Sequence, residues 1–253
     1  MTQHSNNFAA IIMAAGQGKR MKNPDKAKVL YEVGGKPMIG HVVDLANDCQ
    51  ASPIVVVIGH QREAVRDYLN TLTGNIVTCV QEPQLGTGHA VMQAEPALAE
   101  YDGDVIVLSG DVPLLQKSTI DSILDVHRHH TASATVLTAE LPDPTGYGRV
   151  VRREDGLVEK IVEHKDATDE ERKIREINSG IYVFNSQDLL KALKQINSNN
   201  AQGEYYLTDL FAIFRQEGKP ISAVVADDPD EINGVNTVDQ LRVVNETYVE
   251  RTS

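Results

Sequence analysis

Apolar residues in the first half of the chain fall into short runs separated by stretches of helical spacing. The runs at about 8–14, 54–58, 76–80 and 104–109 are short and rich in β-branched residues, which predicts buried strands. Between them, apolar positions recur with helical period over roughly 37–48, 61–72 and 87–99. Strand–helix alternation of this kind predicts βαβ units and a mainly parallel sheet with right-handed crossovers. Ligands of such sheets bind at the carboxyl ends of the strands. The second half changes character. "RVVRREDGLVEKIVE" predicts two short strands around a Glu-Asp-Gly turn. "INSGIYVFN" predicts another strand, helices follow at about 187–196 and 207–217, and "ISAVVA" predicts a late strand. Thr237 to Gln240, "TVDQ", fits a capping box that opens a final helix. With no repeat, low-complexity tract or Pro-rich linker, the expectation is one α/β domain over residues 1–253 with a mixed sheet.

Composition narrows the class without changing this picture. The 253 residues are long enough for a sizeable core, and 41% hydrophobic with 24% charged residues is ordinary for a globular protein. The N-terminal "MTQHSNN" has no signal-peptide core, and no apolar run is long enough to span a bilayer, so a cytoplasmic location is expected. Two cysteines, Cys49 and Cys79, make no framework and read as buried reduced thiols. The net charge of -12 argues against a general nucleic-acid binder. It leaves room for a small anionic substrate held by local positive charge. Lys19, Arg20, Lys22, Lys26 and Lys28 supply such charge against the single acid Asp25, although most charge runs are solvated surface.

That basic run adjoins "MAAGQGKRM", Met13 to Met21, at the end of the first predicted strand. Glycines there let backbone N–H groups approach phosphate oxygens. The pattern is not the dinucleotide fingerprint, because Met21 stands where a third glycine belongs, and no Walker lysine follows. A lone G-x-G is weak, but Arg20 as a fork and Lys28 as a point charge favour phosphate binding. In "QEPQLGTGHA", Gln81 carries an amide able to donate and accept, as reading a pyrimidine edge requires, while a plain strand–helix turn is the ordinary alternative. In "SGDVPL", Asp111 is a hard oxygen ligand at a strand end, of the type that holds Mg²⁺ together with substrate phosphates. It is equally a residue for a turn or cap.

"MAAGQGKRM", "QLGTGHA", "SGDVPL", "DPTGYGRV", "IVEHKDAT", "EINSGIY", "NNAQGEYYLTD" and "GVNTVDQL" together resemble one family, from about residue 9 to about 245. This is the uridylyltransferase domain of bacterial bifunctional N-acetylglucosamine-1-phosphate uridylyltransferase/glucosamine-1-phosphate acetyltransferases. The resemblance implies a Rossmann-like nucleotidyltransferase fold, with residues 1–111 binding nucleotide and 112–253 binding sugar. It implies that Met13, Ala14, Ala15 and Gly16, with Gln81, Gly86 and Thr87, hold uridine. Arg20 and Lys28 would bind phosphates and serve catalysis, and Ser109, Gly110 and Asp111 would line the nucleotide. Asp111 and Asn236 would hold Mg²⁺, and Gly148, Glu163, Asn178 and Asn236 would lie on the sugar side. Glu163 also reads as a solvated hairpin charge, Asn178 as a strand-end cap and Asn236 as a helix-entry residue.

Three departures qualify the resemblance. Ala27 replaces a common proline, so Lys26 competes with Lys28 for the phosphate role. Ser109 stands where an aromatic residue is common. No counterpart of the family's hexapeptide-repeat acetyltransferase domain is present in these residues. The implied reaction joins UTP to N-acetylglucosamine 1-phosphate by attack of an already ionised phosphate, so no general base is needed. His89 and His164, which flank the motifs, are expected to be structural. The alternatives are a related transferase with another base or sugar, and an idle nucleotide-sugar sensor.

Overall fold

The computed structural model describes residues 8–21 and 23–252. Lys22 of the basic run and the N-terminal heptad lie outside the described residues. In chain order the elements begin with β1 (Phe8–Ala14), a small hairpin of β2 (Glu32–Val33) and β3 (Lys36–Pro37), and α1 (Met38–Asp48). Then come β4 (Ile54–Ile58), α2 (Arg62–Leu69), β5 (Ile76–Val80), α3 (Thr87–Met92), α4 (Glu95–Leu98) and β6 (Asp104–Ser109). The second half contains α5 (Lys117–His129), β7 (Ala134–Glu140), β8 (Arg149–Arg152), β9 (Val158–Val162), α6 (Asp169–Arg172) and β10 (Glu176–Asn185). It closes with α7 (Ser186–Ala192), α8 (Asp209–Gln216), β11 (Ile221–Val225) and α9 (Val238–Thr252).

One sheet of nine strands runs β11-β7-β10-β6-β1-β4-β5, with β8 and β9 attached to β10. The pairs β1–β4, β1–β6, β4–β5 and β7–β11 are parallel, and β10 enters antiparallel between β6 and β7. This is the mixed, mainly parallel sheet the pattern predicts. Strands of both halves share it. Alternate side chains of the central strands feed opposite layers, as the pleat requires. Ala10, Ile12, Val56 and Leu108 pack with α1, α2 and α5, whereas Ala9, Ile11, Val57 and Val107 pack with α3, α7 and α8. A sheet covered on both faces explains why β1, β4 and β6 read as apolar runs, but the burial expected of the 76–80 run does not hold: β5 is the edge strand, only partly covered, with Val77 exposed.

Several elements differ from the pattern for identifiable reasons. The helix expected over 87–99 is two short helices. Gln93 and Ala94 bond three residues back, and Pro96 has no N–H to carry the ladder on. Helix α5 and strand β7 lie outside the predicted set. The buried stripe of α5 is Ile120, Ile123, Leu124 and His127, a helical spacing that ends on a polar residue type. His127 is accommodated because its Nδ1 pairs with the buried Thr135 hydroxyl at 2.9 Å. In β7, Thr135 and Thr138 interrupt the apolar run but are satisfied internally, Thr138 donating to Val224 O at 3.3 Å. Cys49 is buried, as expected, but Cys79 on β5 is only partly so. The capping box at α9 is present: Gln240 N–H donates to Thr237 Oγ1 at 3.2 Å and Thr237 N–H to Gln240 Oε1 at 3.1 Å. No helix among the described residues is long and apolar enough to cross a membrane.

Phe184 on β10 is wholly buried, with ring centroids of Tyr182, Phe211 and Phe214 at 5.7, 6.2 and 6.3 Å. It locks α8 to the sheet. Phe184→Ala is expected to cost about 3–5 kcal/mol of folding stability, read as a lowered urea midpoint with an unchanged slope. A loss below about 1 kcal/mol would mean this layer repacks freely.

Candidate functional site

The site forms where parallel strands end together. Met13 of β1 lies in register with Ser109 of β6. Met13, Ala14, Ala15 and Gly16 continue off β1 into a cleft of about 270 Å3, whose other walls include Lys28, Gln81, Gly86, Thr87, Ser109 and Asp111. An added Cβ at Gly16 would meet nothing within 4 Å, so its backbone faces open space. Gly18 has φ +60, and a Cβ there would lie 2.9 Å from Lys28 Cβ. Glycine is therefore required for the turn to cross directly over the lysine. Gly110 has a different task. Its N–H donates to Met13 O at 3.0 Å, and a Cβ would press Ile39 Cδ1 at 2.9 Å. It seals the β6 loop onto β1 rather than lining the cleft.

Lys28, and not Lys26, lines the cleft. The Lys28 ammonium forms an ion pair with Asp111 Oδ2 and donates to Asn236 Oδ1 at 3.0 Å. Lys26 instead sits over the Tyr31 ring, 4.8 Å from its centroid. Lys28 and Asp111 are each about 15% exposed (14% and 15%), so the pair is largely withdrawn from water. Two oxygen donors thus bracket one cation. Residues 111 and 236 are brought together by Val235 N–H, which donates to Asp111 O at 3.0 Å. Arg20 is exposed on the 3-10 turn Lys19–Met21 and has no ion pair among the described residues. Its guanidinium is available to a ligand.

Gln81 follows β5 and is buried, its N–H donating to Ile58 O at 2.8 Å. Its amide Nε2 reaches Gly86 O at 2.9 Å and His89 Nδ1 at 3.2 Å, which fixes the side chain. Gly86 has φ +108, and a Cβ would meet Tyr205 O at 2.6 Å. The start of α3 is less open to a ligand than the sequence suggests, since Gly88 N–H already donates to Tyr205 O at 2.8 Å. Thr87 Oγ1 accepts from Leu207 N–H at 3.1 Å. The "GEYYLTD" segment therefore clamps the "QLGTGH" loop, a link between distant stretches that spacing cannot reveal.

Gly148, Glu163 and Asn178 gather beside this cleft. Asn178 N–H donates to Gly148 O at 2.9 Å, and Asn178 Nδ2 donates to Tyr182 Oη at 2.7 Å. Asn178 stands at a register shift in the β10–β7 pairing, so it is no strand-end cap. Glu163 is not a solvated hairpin charge. Burial holds its carboxyl above the ordinary range, the Thr208 hydroxyl donates to it at 3.2 Å, and Asp166, Asp209 and Glu204 add like charge. The two groups are near one another at two points. The Tyr147 hydroxyl is pushed up by burial and then by the Asp111 carboxylate, and a Cβ on Gly180 would lie 3.6 Å from Ser109 Oγ. Tyr147, Thr208 and Tyr182 adjoin the candidate residues and carry no signal of that in the sequence pattern. Tyr147 stands inside the quoted "PTGYGR", whereas the Thr208–Glu163 contact spans 45 residues and has no local signal. The two histidines hold structure: His89 faces the Gln81 and Gln93 amides at 3.2 Å each, and His164 Nδ1 accepts from the buried Arg149 at 3.3 Å.

The oxygens suit a divalent cation of hard character. Asp111 and Asn236 already enclose a positive group, and among the described residues no cluster of three or more His, Cys, Asp or Glu forms a closed protein cage. One carboxylate plus one amide oxygen is the donor set of an ion that shares its coordination with water and phosphates.

The Nucleotidyl transferase family profile matches residues 9–230. The bifunctional protein GlmU of Halalkalibacterium halodurans is 52% identical over 232 residues, covering 92% of this chain and 50% of the relative. Its counterpart in Acetivibrio thermocellus is 49% identical with the same coverage. The chain thus spans about half the length of the curated relatives it matches. Among solved structures, an apo UDP-glucose pyrophosphorylase superposes with a TM-score of 0.80 at 15% identity, covering 97% of this chain and 100% of that one. A putative glucose-1-phosphate thymidylyltransferase from Bacillus anthracis gives 0.75 at 21% identity, covering 95% and 94%. With a glycine turn over a lysine at the ends of parallel strands and a family match across nearly its whole length, the chain belongs to the nucleotidyl transferase family.

Proposed function

We propose that the chain catalyses Mg²⁺-dependent formation of UDP-N-acetylglucosamine and pyrophosphate from UTP and N-acetylglucosamine 1-phosphate. The observation that carries this is the Lys28 ammonium held between Asp111 and Asn236 at the mouth of a glycine-walled cleft. The motif-by-motif resemblance and relatives at about half identity support the choice of base and sugar. Residues 8–111 contribute the nucleotide walls and the later half the sugar walls, within the one shared sheet.

The buried Gln81 amide reads the uracil edge, with Gly86 and Thr87 beside it. Gly16 backbone and Arg20 receive the triphosphate, and Ser109 lines the cleft while Gly110 anchors its loop to β1. Glu163 accepts hydrogen bonds from sugar hydroxyls, and Asn178 and Gly148 fix the amino-sugar face. An oxygen of the sugar phosphate attacks the α-phosphorus in line with the departing pyrophosphate: one P–O bond forms, the α–β bridge breaks, and no proton moves. Asp111 and Asn236 would hold Mg²⁺, which supplies charge neutralisation between the two mutually repelling phosphates. Lys28, released from that oxygen pair, turns to a phosphate oxygen. Arg20 stabilises charge on the leaving group, and rate comes from positioning and fixed charge.

Following pyrophosphate with a panel of nucleotides and sugar phosphates tests the proposal. Release is expected to be fastest with UTP and N-acetylglucosamine 1-phosphate, and preference for another pair would overturn the assignment. Asp111→Ala is expected to abolish turnover, and retained activity would remove it from the site. Arg20→Ala is expected to lower kcat by ~10²–10³, the range for loss of one preorganised charge-stabilising donor. An unchanged kcat would end that role. Glu163 gives a stability prediction of opposite sign to its function. Its folded-state pKa lies above the ordinary 4.5, so the fold loses stability as pH rises through the window between the two values. Glu163→Gln, which still accepts from Thr208, is expected to raise Tm at about pH 7.5 and not at pH 4, while weakening product binding. Equal Tm shifts at both pH values would contradict this.

A further inference from the structure

Glu231 is 5% exposed, yet it belongs to no strand and touches none of the ligand-facing residues assigned above. It sits in the 3-10 turn Pro229–Ile232, on the segment that leads from β11 to Asn236 and α9. Its Oε2 accepts from the Gln116 N–H at 3.2 Å and from the Thr119 hydroxyl at 2.5 Å. Gln116 precedes α5 and provides no side-chain cap of its own. The carboxylate therefore caps α5 from 115 residues further along the chain. A negative charge is favoured at a helix start, and a buried carboxylate without such donors is costly. The contact thus fixes position strongly.

What it fixes is the spacing between two loops. One leaves β6 with Asp111 and ends at Gln116. The other begins at Glu231 and ends at Asn236. Near the cleft they meet through the Val235 N–H to Asp111 O bond, and a Cβ on Gly234 would lie 3.7 Å from Asp111 Oδ2 and 3.8 Å from Asn236 Nδ2. The bond near the cleft alone does not fix the angle between the two loops. The Glu231 contact ties their other ends directly, and so limits their movement against each other. Arg251 of α9 also spans both segments, pairing with Asp228 and donating to Leu114 O at 3.3 Å, so the fold of the segment does not rest on Glu231 alone.

We infer that Glu231 is a positioning residue for the divalent-ion site: it clamps the Asn236 loop to the Asp111 loop and so sets the separation of the two oxygen ligands. The inference rests on the proposed role of Asp111 and Asn236. Removing the clamp weakens ion binding and leaves recognition of base and sugar intact, because Gln81, Glu163 and Asn178 stand on other elements. Replacement by glutamine preserves an acceptor for both donors and so preserves most of the effect.

The test titrates Mn²⁺ into the full chain saturated with UDP-N-acetylglucosamine, reading free ion by electron paramagnetic resonance. Calorimetry measures UDP-N-acetylglucosamine binding separately in EDTA. Glu231→Ala is expected to raise the Mn²⁺ dissociation constant by about tenfold, equivalent to about 1.4 kcal/mol. Glu231→Gln is expected to stay within about twofold, and both variants to bind the nucleotide sugar in EDTA within about twofold of the unaltered chain. Unchanged Mn²⁺ affinity in Glu231→Ala, or equal weakening of ion-free nucleotide-sugar binding, would overturn the inference. Should Glu231→Ala not fold, Thr119→Val removes one donor, with about a threefold rise expected and no rise overturning the clamp. An unaltered Mn²⁺ affinity in Asp111→Asn would instead remove the ion site itself, and with it the proposed function.

Discussion

A largely buried ammonium held by two oxygens from remote parts of the chain is the interaction on which the site depends. Lys28 is 83 residues from Asp111 and 208 from Asn236, so the contact exists only when the whole sheet is assembled. Partly buried charges are weak contributors to stability, because desolvation offsets most of the Coulomb gain. Their presence here is therefore better explained by chemistry than by folding. In the proposed reaction the oxygen pair would hold a cation and the ammonium would leave it for a phosphate of the triphosphate.

The architecture supplies these parts through strand ends. Parallel pairing of β1 with β4 and β6 brings their carboxyl ends to one edge, where successive loops must converge. Close packing then fixes the loops. Gly18 passes over Lys28 at a distance no side chain tolerates, and Gly110 fits between Met13 O and Ile39. The antiparallel β10 carries Asn178 into the same region from the opposite direction, so walls from both halves of the chain share one sheet. Loops held by such a scaffold can keep polar groups partly desolvated without losing their geometry.

Much of this was legible in the sequence because the physics is local. Buried parallel strands must be apolar on both faces, so β1, β4 and β6 read clearly, whereas β5 shares their β-branched run but lies at the sheet edge. The capping box at Thr237 is likewise a four-residue signal. What escaped depends on partners far away. Thr135 of β7 and His127 of α5 look polar until they are seen to satisfy each other, Thr138 is met by Val224 O of β11, and Pro96 divides a helix that periodicity alone joins. At the site, glycine and charge spacing pointed to Gly16, Arg20 and Lys28, but only the fold separates Lys28 from Lys26. Thr208 beside Glu163 and Tyr147 near Asp111 arise from packing between loops, which no spacing rule encodes.

The most direct measurement is a crystal structure of the chain with UDP-N-acetylglucosamine and Mn²⁺, located by its anomalous signal. The account predicts a manganese peak ligated by both Asp111 and Asn236, with the Lys28 ammonium turned onto a phosphate oxygen. A manganese ion bound away from this oxygen pair, or Lys28 still seated between the two side chains with the nucleotide in place, would contradict it.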